Sequence, residues 1–218
     1  MEGEEEVIEH PLDGLLSKHD DLPREEPEIS ANIGAQLKHM DLDSLPLTVR
    51  RRIRDVVARQ NPDHVVEVGA GIGHLSAWLF DLWQDEELRP KRYSMVEAGG
   101  KFGVILTRLM RRYDADKWAD VVVGNWMDMV ASANAWNAAF ATTTEIAAPE
   151  APPIPIPIDL CIIDVGWERQ VECVMAAIPL LSEEGVLLTN EPEVPMGELE
   201  DLDEQGERMV ASFNGWIT

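Results

Sequence analysis

Residues 65–79 read VVEVGAGIGHLSAWL, and this stretch decides the fold. The run over 65–68 is short and rich in valine, which predicts a buried β-strand. Glycines follow at three alternate positions, Gly69, Gly71 and Gly73, and apolar residues at helical spacing continue from there. Because glycine has no Cβ, a ligand can lie directly against such a turn, and the free N–H groups of the new helix point at it. The sequence therefore predicts a strand, a ligand-binding glycine turn and a helix.

The spacing of the glycines argues against a dinucleotide site. The dinucleotide fingerprint requires G-x-G-x-x-G, in which the third glycine lets the helix and the strand pack closely. Here that slot holds His74, and the third glycine comes one place earlier. Glu67 stands two residues before Gly69. A buried carboxylate at this position would repel a pyrophosphate, but it suits a cationic or amine-bearing ligand.

This segment resembles motif I of the class I S-adenosylmethionine-dependent methyltransferases, an acidic residue followed by G-x-G-x-G at the end of the first strand. The resemblance implies an α/β fold with a doubly wound, mostly parallel, Rossmann-like sheet. It also implies that S-adenosylmethionine binds at the carboxyl ends of the first strands. The residues of the segment that would contact this cofactor are Glu67, Gly69, Ala70, Gly71, Gly73 and His74.

Two further strand ends fit the same family. A second strand is predicted over 93–96 and is closed by Glu97, the position at which the family binds both ribose hydroxyls. A carboxylate can accept two hydrogen bonds at once, so Glu97 suits this role. A third strand is predicted over 120–123. The resemblance implies that Asn125 contacts the adenine amino group and that Trp126 covers the adenine ring.

The fourth predicted strand, over 158–164, carries the candidate catalytic group. Asp164 closes this apolar strand, at the end where open α/β sheets place their ligands. The residues after it resemble the small catechol-type O-methyltransferases. That resemblance implies that Asp164 contacts the cofactor and orients or deprotonates the methyl acceptor, directly or through a metal. Asn190 and Glu191 stand where the family has Asp and Asn, and with Asp164 they would offer Mg²⁺ three oxygen donors.

Length and composition favour one soluble domain. The chain has 218 residues, of which 45% are apolar, and no apolar run approaches the ~18 residues that a membrane span needs. We expect a cytoplasmic protein with no membrane partner, with Cys161 and Cys173 as small core residues. Residues 1–28 are acidic and predicted to form a disordered tail, followed by a single methyltransferase-like domain over 29–218. The proline-rich run over 152–157 is predicted to be a PPII-like spacer that lengthens the connection before the fourth strand.

The charge of the chain is strongly negative. A net charge of −23 with only five lysines indicates a salt-adapted, archaeal proteome, because salt screens such self-repulsion. It also argues against broad affinity for nucleic acid, which depends on Lys and Arg at the phosphates. Two local groups of arginines, over 50–54 and 108–112, are predicted to be solvated helix faces. A local nucleic-acid contact stays open.

The end of the chain allows two interpretations. Asn214 and Gly215 lie between apolar runs, which is a type I′ turn signal and predicts a short β-hairpin. A final amphipathic helix is the alternative. A full class I sheet closes with an antiparallel hairpin, and the residues after the fifth strand are fewer than such a hairpin usually takes.

The function predicted from the sequence is methyl transfer to an oxygen of a small molecule. Two other classes stay open: an RNA or protein methyltransferase that uses the arginines, and a non-catalytic module that binds S-adenosylmethionine. An arginine face beside the cofactor cleft would favour the first, and an acceptor cleft without a carboxylate would favour the second. The sequence identifies neither the acceptor nor the oligomeric state, for which a homodimer is one option.

Overall fold

The computed structural model describes residues 11–141, 151–189 and 209–212. In these ranges seven helices and six strands alternate in the order expected of an α/β protein. The helices are α1 (Pro11–Leu16), α2 (Glu28–His39), α3 (Leu47–Gln60), α4 (His74–Leu82), α5 (Gly100–Arg112), α6 (Trp126–Ala141) and α7 (Trp167–Ala177). The strands are β1 (His64–Val68), β2 (Arg92–Glu97), β3 (Ala119–Val123), β4 (Ile158–Ile163), β5 (Leu181–Thr189) and β6 (Met209–Ser212).

The strands form one sheet in the order β3-β2-β1-β4-β5-β6, and every pairing among the described residues is parallel. The chain moves outward from β1 to β3, and then returns to place β4 on the other side of β1. The carboxyl ends of β1 and β4 therefore flank the point at which the strand order reverses. In open α/β sheets this point is a crevice that receives ligands.

The two faces of the sheet bury separate cores. Along β1, Val65 faces the helices α2 to α5, whereas Val66 and Val68 face α6 and α7. This alternation follows from the two-residue period of a strand, and burial on both faces explains why the central strands are apolar. Cys161 and Cys173 are both buried on the second face, as expected for core residues.

The prediction of a disordered tail over residues 1–28 is wrong for its described part, residues 11–28. Three leucines of this segment pack against the core. Asp55 of α3 has no exposed side-chain area, and it accepts hydrogen bonds from Arg24 (2.8 Å) and from the backbone N–H of His19 (3.2 Å). Burial raises the pKa of Asp55, but the hydrogen bonds from Arg24 and Arg54 outweigh burial and hold it below its ordinary value. A long-range partner thus orders a segment whose own composition is unfavourable.

The prediction of a solvated arginine face over 50–54 is wrong for Arg50 and Arg54. Each is only 5% exposed. Arg54 donates to Asp55 (2.6 Å) and to the carbonyl of Pro23 (2.7 Å), and its guanidinium lies over the ring of Trp78. These arginines join α3 to the N-terminal segment, so they are not available to bind a phosphate backbone. Arg108, Arg111 and Arg112 of α5 are exposed, as predicted.

The connection between β3 and β4 has an alanine-rich part and a proline-rich end, and only the proline-rich run over 152–157 was predicted to be a spacer. The alanine-rich part continues α6 to residue 141, which agrees with the high helix propensity of alanine. The proline-rich end is packed, since Ile154 is buried and the carbonyl of Pro153 accepts a hydrogen bond from Arg92 (2.8 Å). Residues 142–150 lie outside the described ranges.

Among the described residues the last strand of the sheet is β6, which pairs with β5 in parallel, with Val186 opposite Met209. The predicted turn at Asn214 and Gly215 lies outside the described residues. In the described part of the chain, no helix combines the length and the apolarity that a membrane span requires.

Candidate functional site

The glycine turn after β1 presents bare backbone to the crevice. Gly69 and Gly71 have positive φ angles of 85° and 57°, which glycine adopts without strain. A Cβ on Gly69 would overlap the carbonyl oxygen of Asp164, so glycine is required there for packing against β4. A Cβ on Gly71 would meet no atom within 4 Å. At Gly71 the backbone therefore borders open space, as it must where a ligand approaches.

Hydrogen bonds fasten this turn to the end of β2. The backbone N–H groups of Gly69 and Ala70 donate to the carbonyl of Val96, at 3.0 and 3.3 Å. The Glu97 carboxylate accepts from the N–H of Gly71 through Oε2 (2.9 Å) and from its own loop through Oε1. Each oxygen of a carboxylate has two lone pairs, so each keeps one for a ligand hydroxyl. Glu97 thus lies where the sequence predicted it, directly beside the turn.

Glu67 lies behind the turn. Its carboxylate is 3% exposed and accepts hydrogen bonds from Ser76 of α4 (2.8 Å) and from the hydroxyl of Tyr93 on β2. Burial, with a smaller contribution from the charges of Asp164 and Glu97, raises the pKa of Glu67 to about 7. Because its hydrogen bonds are made inside the protein, the side chain can act on a ligand only indirectly. It can do so through its charge, or by holding β1, β2 and α4 together.

His74 begins α4, but its imidazole points to the N-terminal helices. Arg50 donates to Nε2, so the proton of the neutral ring is on Nδ1 and is donated to Ser44 Oγ at 3.0 Å. Burial, and secondarily the charge of Arg50, lowers the pKa of His74 to about 4. The predicted cofactor contact of His74 is therefore limited to its backbone. Gly73 precedes it as the left-handed cap of the helix.

Asp164 closes β4 beside the glycine turn. Its backbone N–H donates to the carbonyl of Val68 at 2.9 Å, which places the ends of β1 and β4 together. Burial raises the pKa of the Asp164 carboxyl to about 6. A carboxylate whose pKa lies near neutrality is a better proton acceptor than an ordinary aspartate. This position and this basicity fit the predicted role toward an acceptor.

Asn125 and Trp126 begin α6 at the end of β3. The amide oxygen of Asn125 accepts from the N–H of Met127 (3.1 Å) and from Nη2 of Arg169 (3.0 Å). Trp126 is 3% exposed, and its indole N–H donates to the carbonyl of Cys173 on α7 (3.1 Å). Trp126 therefore packs firmly between α6 and α7, and it contributes to the lining of the cleft.

One cleft opens at the carboxyl edge of the sheet, and of the predicted residues Gly69, Glu97 and Trp126 line it, whereas Gly71, Asn125 and Asp164 are neighbours of lining residues. Its lining is mainly apolar, with one carboxylate and one cation, which is typical of a small-molecule site. The lining residues are Val68, Gly69, Val96, Glu97, Ala98, Gly124, Trp126, Val165, Arg169 and Cys173.

Of the three predicted metal ligands, only one lies within the described residues. Asp164 is described, but Asn190 and Glu191 lie outside the described residues. Within residues 11–141, 151–189 and 209–212, no three His, Cys, Asp or Glu side chains come together as a metal site would require.

Sequence reasoning missed three residues of the site: Ser76, Tyr93 and Arg169. Ser76 and Tyr93 hold Glu67 from α4 and β2, and polar residues inside apolar runs were the available signal. Arg169 gave a weaker signal, an arginine in the first turn of the helix after β4. Its partner Asn125 is 44 residues away, and only the tertiary fold brings them together.

The comparison with known proteins bears on the fold of the chain. No protein-family profile and no curated protein sequence matches the chain. Three solved structures are similar. The O-methyltransferase TomG from Streptomyces achromogenes, in complex with SAM, is 14% identical with a TM-score of 0.57, over 83% of this chain and 78% of that chain. A methyltransferase from Geobacter sulfurreducens is 15% identical with a TM-score of 0.54, over 81% and 72%. The O-methyltransferase from Bacillus cereus, in complex with SAH, is 16% identical with a TM-score of 0.50, over 72% and 63%.

At such low identity these neighbours show the fold alone. The chain has the Rossmann-like α/β fold of the class I methyltransferases, which confirms the fold class predicted from the glycine turn.

Proposed function

We propose that the chain is an S-adenosylmethionine-dependent methyltransferase that acts on an oxygen of a small molecule. One observation carries this proposal. At the switch point of a methyltransferase-type sheet, Gly71 borders open space and its N–H is bonded to the strand-end carboxylate of Glu97. A bare turn beside a double hydrogen-bond acceptor suits a nucleoside whose ribose approaches the backbone. The SAM and SAH complexes of the neighbouring O-methyltransferases support the same cofactor.

The residues of the cleft suggest how the reaction would proceed. S-Adenosylmethionine would supply an electrophilic methyl group on a sulfonium. Glu97 would accept the ribose hydroxyls, and the turn over 69–73 would hold the cofactor against its backbone. Asp164, with a pKa near 6, would orient the acceptor hydroxyl or receive its proton. Most of the rate enhancement would then come from holding the acceptor oxygen in line with the methyl group.

Calorimetric titration of the full chain tests the proposal. We expect S-adenosylmethionine and S-adenosylhomocysteine to bind with a dissociation constant of about 1 mM or lower, a modest free energy for so polar a ligand. We expect NAD to bind more weakly than either. A methyl-transfer screen of small phenols against total RNA then identifies the acceptor class. Tighter binding of NAD than of S-adenosylmethionine would contradict the proposal.

Glu97 gives a more specific prediction. Glu97→Ala removes the acceptor for the ribose hydroxyls and should weaken S-adenosylhomocysteine binding by ~1–3 kcal/mol. Because Glu97 also holds the N–H of Gly71, the loss has a structural part, which a 2′-deoxyribose analogue separates. If Glu97 binds the hydroxyl, the analogue and the mutation should be non-additive in calorimetry. Fully additive losses would reduce Glu97 to a support of the turn.

The magnesium site is proposed from the sequence. Asp164, Asn190 and Glu191 supply hard oxygen donors, and Mg²⁺ commonly needs only one or two protein carboxylates. Its test is the methyl-transfer rate before and after treatment with a chelator, followed by re-addition of Mg²⁺. Activity that survives the chelator leaves Asp164 alone as the group that acts on the acceptor.

The structure favours a small-molecule enzyme over the two alternatives from the sequence. In the arginine group over 50–54, Arg50 and Arg54 are hydrogen-bonded within the protein, to Glu26, Asp55 and the carbonyl of Pro23. This removes one proposed contact for RNA or for a protein substrate. A non-catalytic module would not need the carboxyl of Asp164 at the end of β4.

We also propose that the protein works in a salt-adapted, archaeal cytoplasm, since its net charge is −23 with five lysines. Sedimentation in low and high salt tests whether the protein needs salt to stay compact and whether a homodimer forms.

A further inference from the structure

Arg169 is the single cation among the described residues that line the cleft. It stands in the first turn of α7, and its Nη2 donates to the amide oxygen of Asn125 at 3.0 Å. This hydrogen bond joins the start of α7 to the start of α6. The guanidinium of this exposed residue is therefore tethered at the cleft by one of its nitrogens.

The hydrogen bonds of Asn125 leave its amide oxygen no free lone pair. That oxygen accepts from Arg169 and also from the N–H of Met127, where it caps α6. An amide oxygen has two lone pairs, and both are used. An adenine amino group would have to displace one of these donors in order to reach Asn125.

α7 contributes a second fixed contact on the same side of the cleft. Cys173 follows Arg169 by four residues, so the two lie on one face of the helix. The carbonyl of Cys173 accepts the indole N–H of Trp126 (3.1 Å), which fixes the ring of that tryptophan. The cleft thus has a rigid aromatic side chain and a planar guanidinium, both anchored between α6 and α7.

We propose that Arg169 binds the adenine ring of the cofactor by stacking on it, and that Asn125 is a positioning residue that acts through Arg169. This inference rests on the proposed function. The guanidinium plane stacks on the adenine ring, while the N–H at its edge keeps its hydrogen bond to Asn125. Asn125 keeps the plane at the angle that stacking requires. Lysine at this position would keep the charge but lose the plane.

The experiment compares dissociation constants of S-adenosylhomocysteine and of its hypoxanthine analogue, S-inosylhomocysteine, by calorimetry on the full chain. Arg169→Ala should weaken S-adenosylhomocysteine binding about tenfold, within the range of cation–π and stacking contacts. Arg169→Lys should lose most of the same affinity. Arg108→Ala, which removes an exposed arginine from α5, is the matched control and should bind like the wild type.

Asn125→Ser tests the positioning role, because serine can still cap α6 but is too short to hold Arg169. It should weaken S-adenosylhomocysteine binding about threefold in the wild type and have no effect in the Arg169→Ala background, since coupled residues are non-additive. It should leave the ratio of the adenine to the hypoxanthine ligand unchanged, because Asn125 does not read the amino group.

The following results would contradict the inference. Unchanged affinity in Arg169→Ala, or full affinity in Arg169→Lys, would overturn the stacking role. A loss of adenine preference in Asn125→Ser on the Arg169→Ala background would show that Asn125 reads the base itself. If the wild-type chain binds neither S-adenosylmethionine nor S-adenosylhomocysteine, the proposed function fails and this inference fails with it. Wild-type binding that Arg169→Ala does not alter overturns the inference alone.

Discussion

Gly71→Val should abolish binding of S-adenosylmethionine while the chain stays folded. The Cβ of residue 71 would point into open space and meet no protein atom within 4 Å, so the valine side chain would occupy the volume that a ligand needs. We expect the calorimetric affinity to fall by at least about 3 kcal/mol, a factor of about 100 or more. The N–H of residue 71 would still donate to Glu97, so the turn itself would keep its hydrogen bond.

The control for this variant must carry the same backbone strain. Valine at a φ of 57° is strained and costs roughly 1–2 kcal/mol of stability wherever it stands. Asp114→Val places valine at a φ of 51° at an exposed position after α5, away from the cleft. Thermal melting should show similar losses of stability for both variants, and only Gly71→Val should lose the ligand. Ligand binding by Gly71→Val with wild-type affinity would place the cofactor elsewhere.

The features that the sequence predicted are local ones. The β1–turn–α4 unit needs a strand pattern, positive-φ glycines and a helix pattern within about 15 residues. Each of these can be recognised in the sequence without knowledge of the rest of the fold. Glu97 and Asp164 were predictable for the same reason, because each closes a strand and parallel strands end at one edge. The cleft follows once the strand order brings these ends together.

The features that the sequence did not predict depend on long-range partners. Nothing near His74 indicates that Arg50 and Ser44, 24 and 30 residues earlier, would turn its ring away from the cleft. Arg54 occurs in an arginine-rich run typical of a solvated face, and only the buried Asp55 and the ring of Trp78 explain its position. Pairing of this kind can reverse the exposure that composition predicts, because a buried charge is tolerated once it is hydrogen-bonded.

Glu67→Gln should change how the stability of the protein depends on pH. Burial raises the pKa of Glu67 from 4.5 in the unfolded chain to about 7 in the folded protein. Between these values the folded state holds the proton more tightly, so the free energy of unfolding falls as pH rises from about 4.5 to 7. The full effect of this one carboxyl is up to about 3 kcal/mol. Glutamine cannot ionise, and its amide oxygen can still accept from Ser76 and Tyr93.

The measurement is the free energy of unfolding from urea titrations of the wild type and the variant at pH 5 and pH 8. Other carboxylates titrate in both proteins, so the difference between the two isolates Glu67. We expect Glu67→Gln to gain stability relative to the wild type on going from pH 5 to pH 8. Glu87→Gln, which also removes one negative charge but at an exposed position, should show no such gain. A parallel pH dependence of Glu67→Gln and the wild type would mean that the buried carboxyl ionises as freely as an exposed one. In that case Glu67 is fully ionised at pH 7, and it carries a negative charge directly behind the glycine turn.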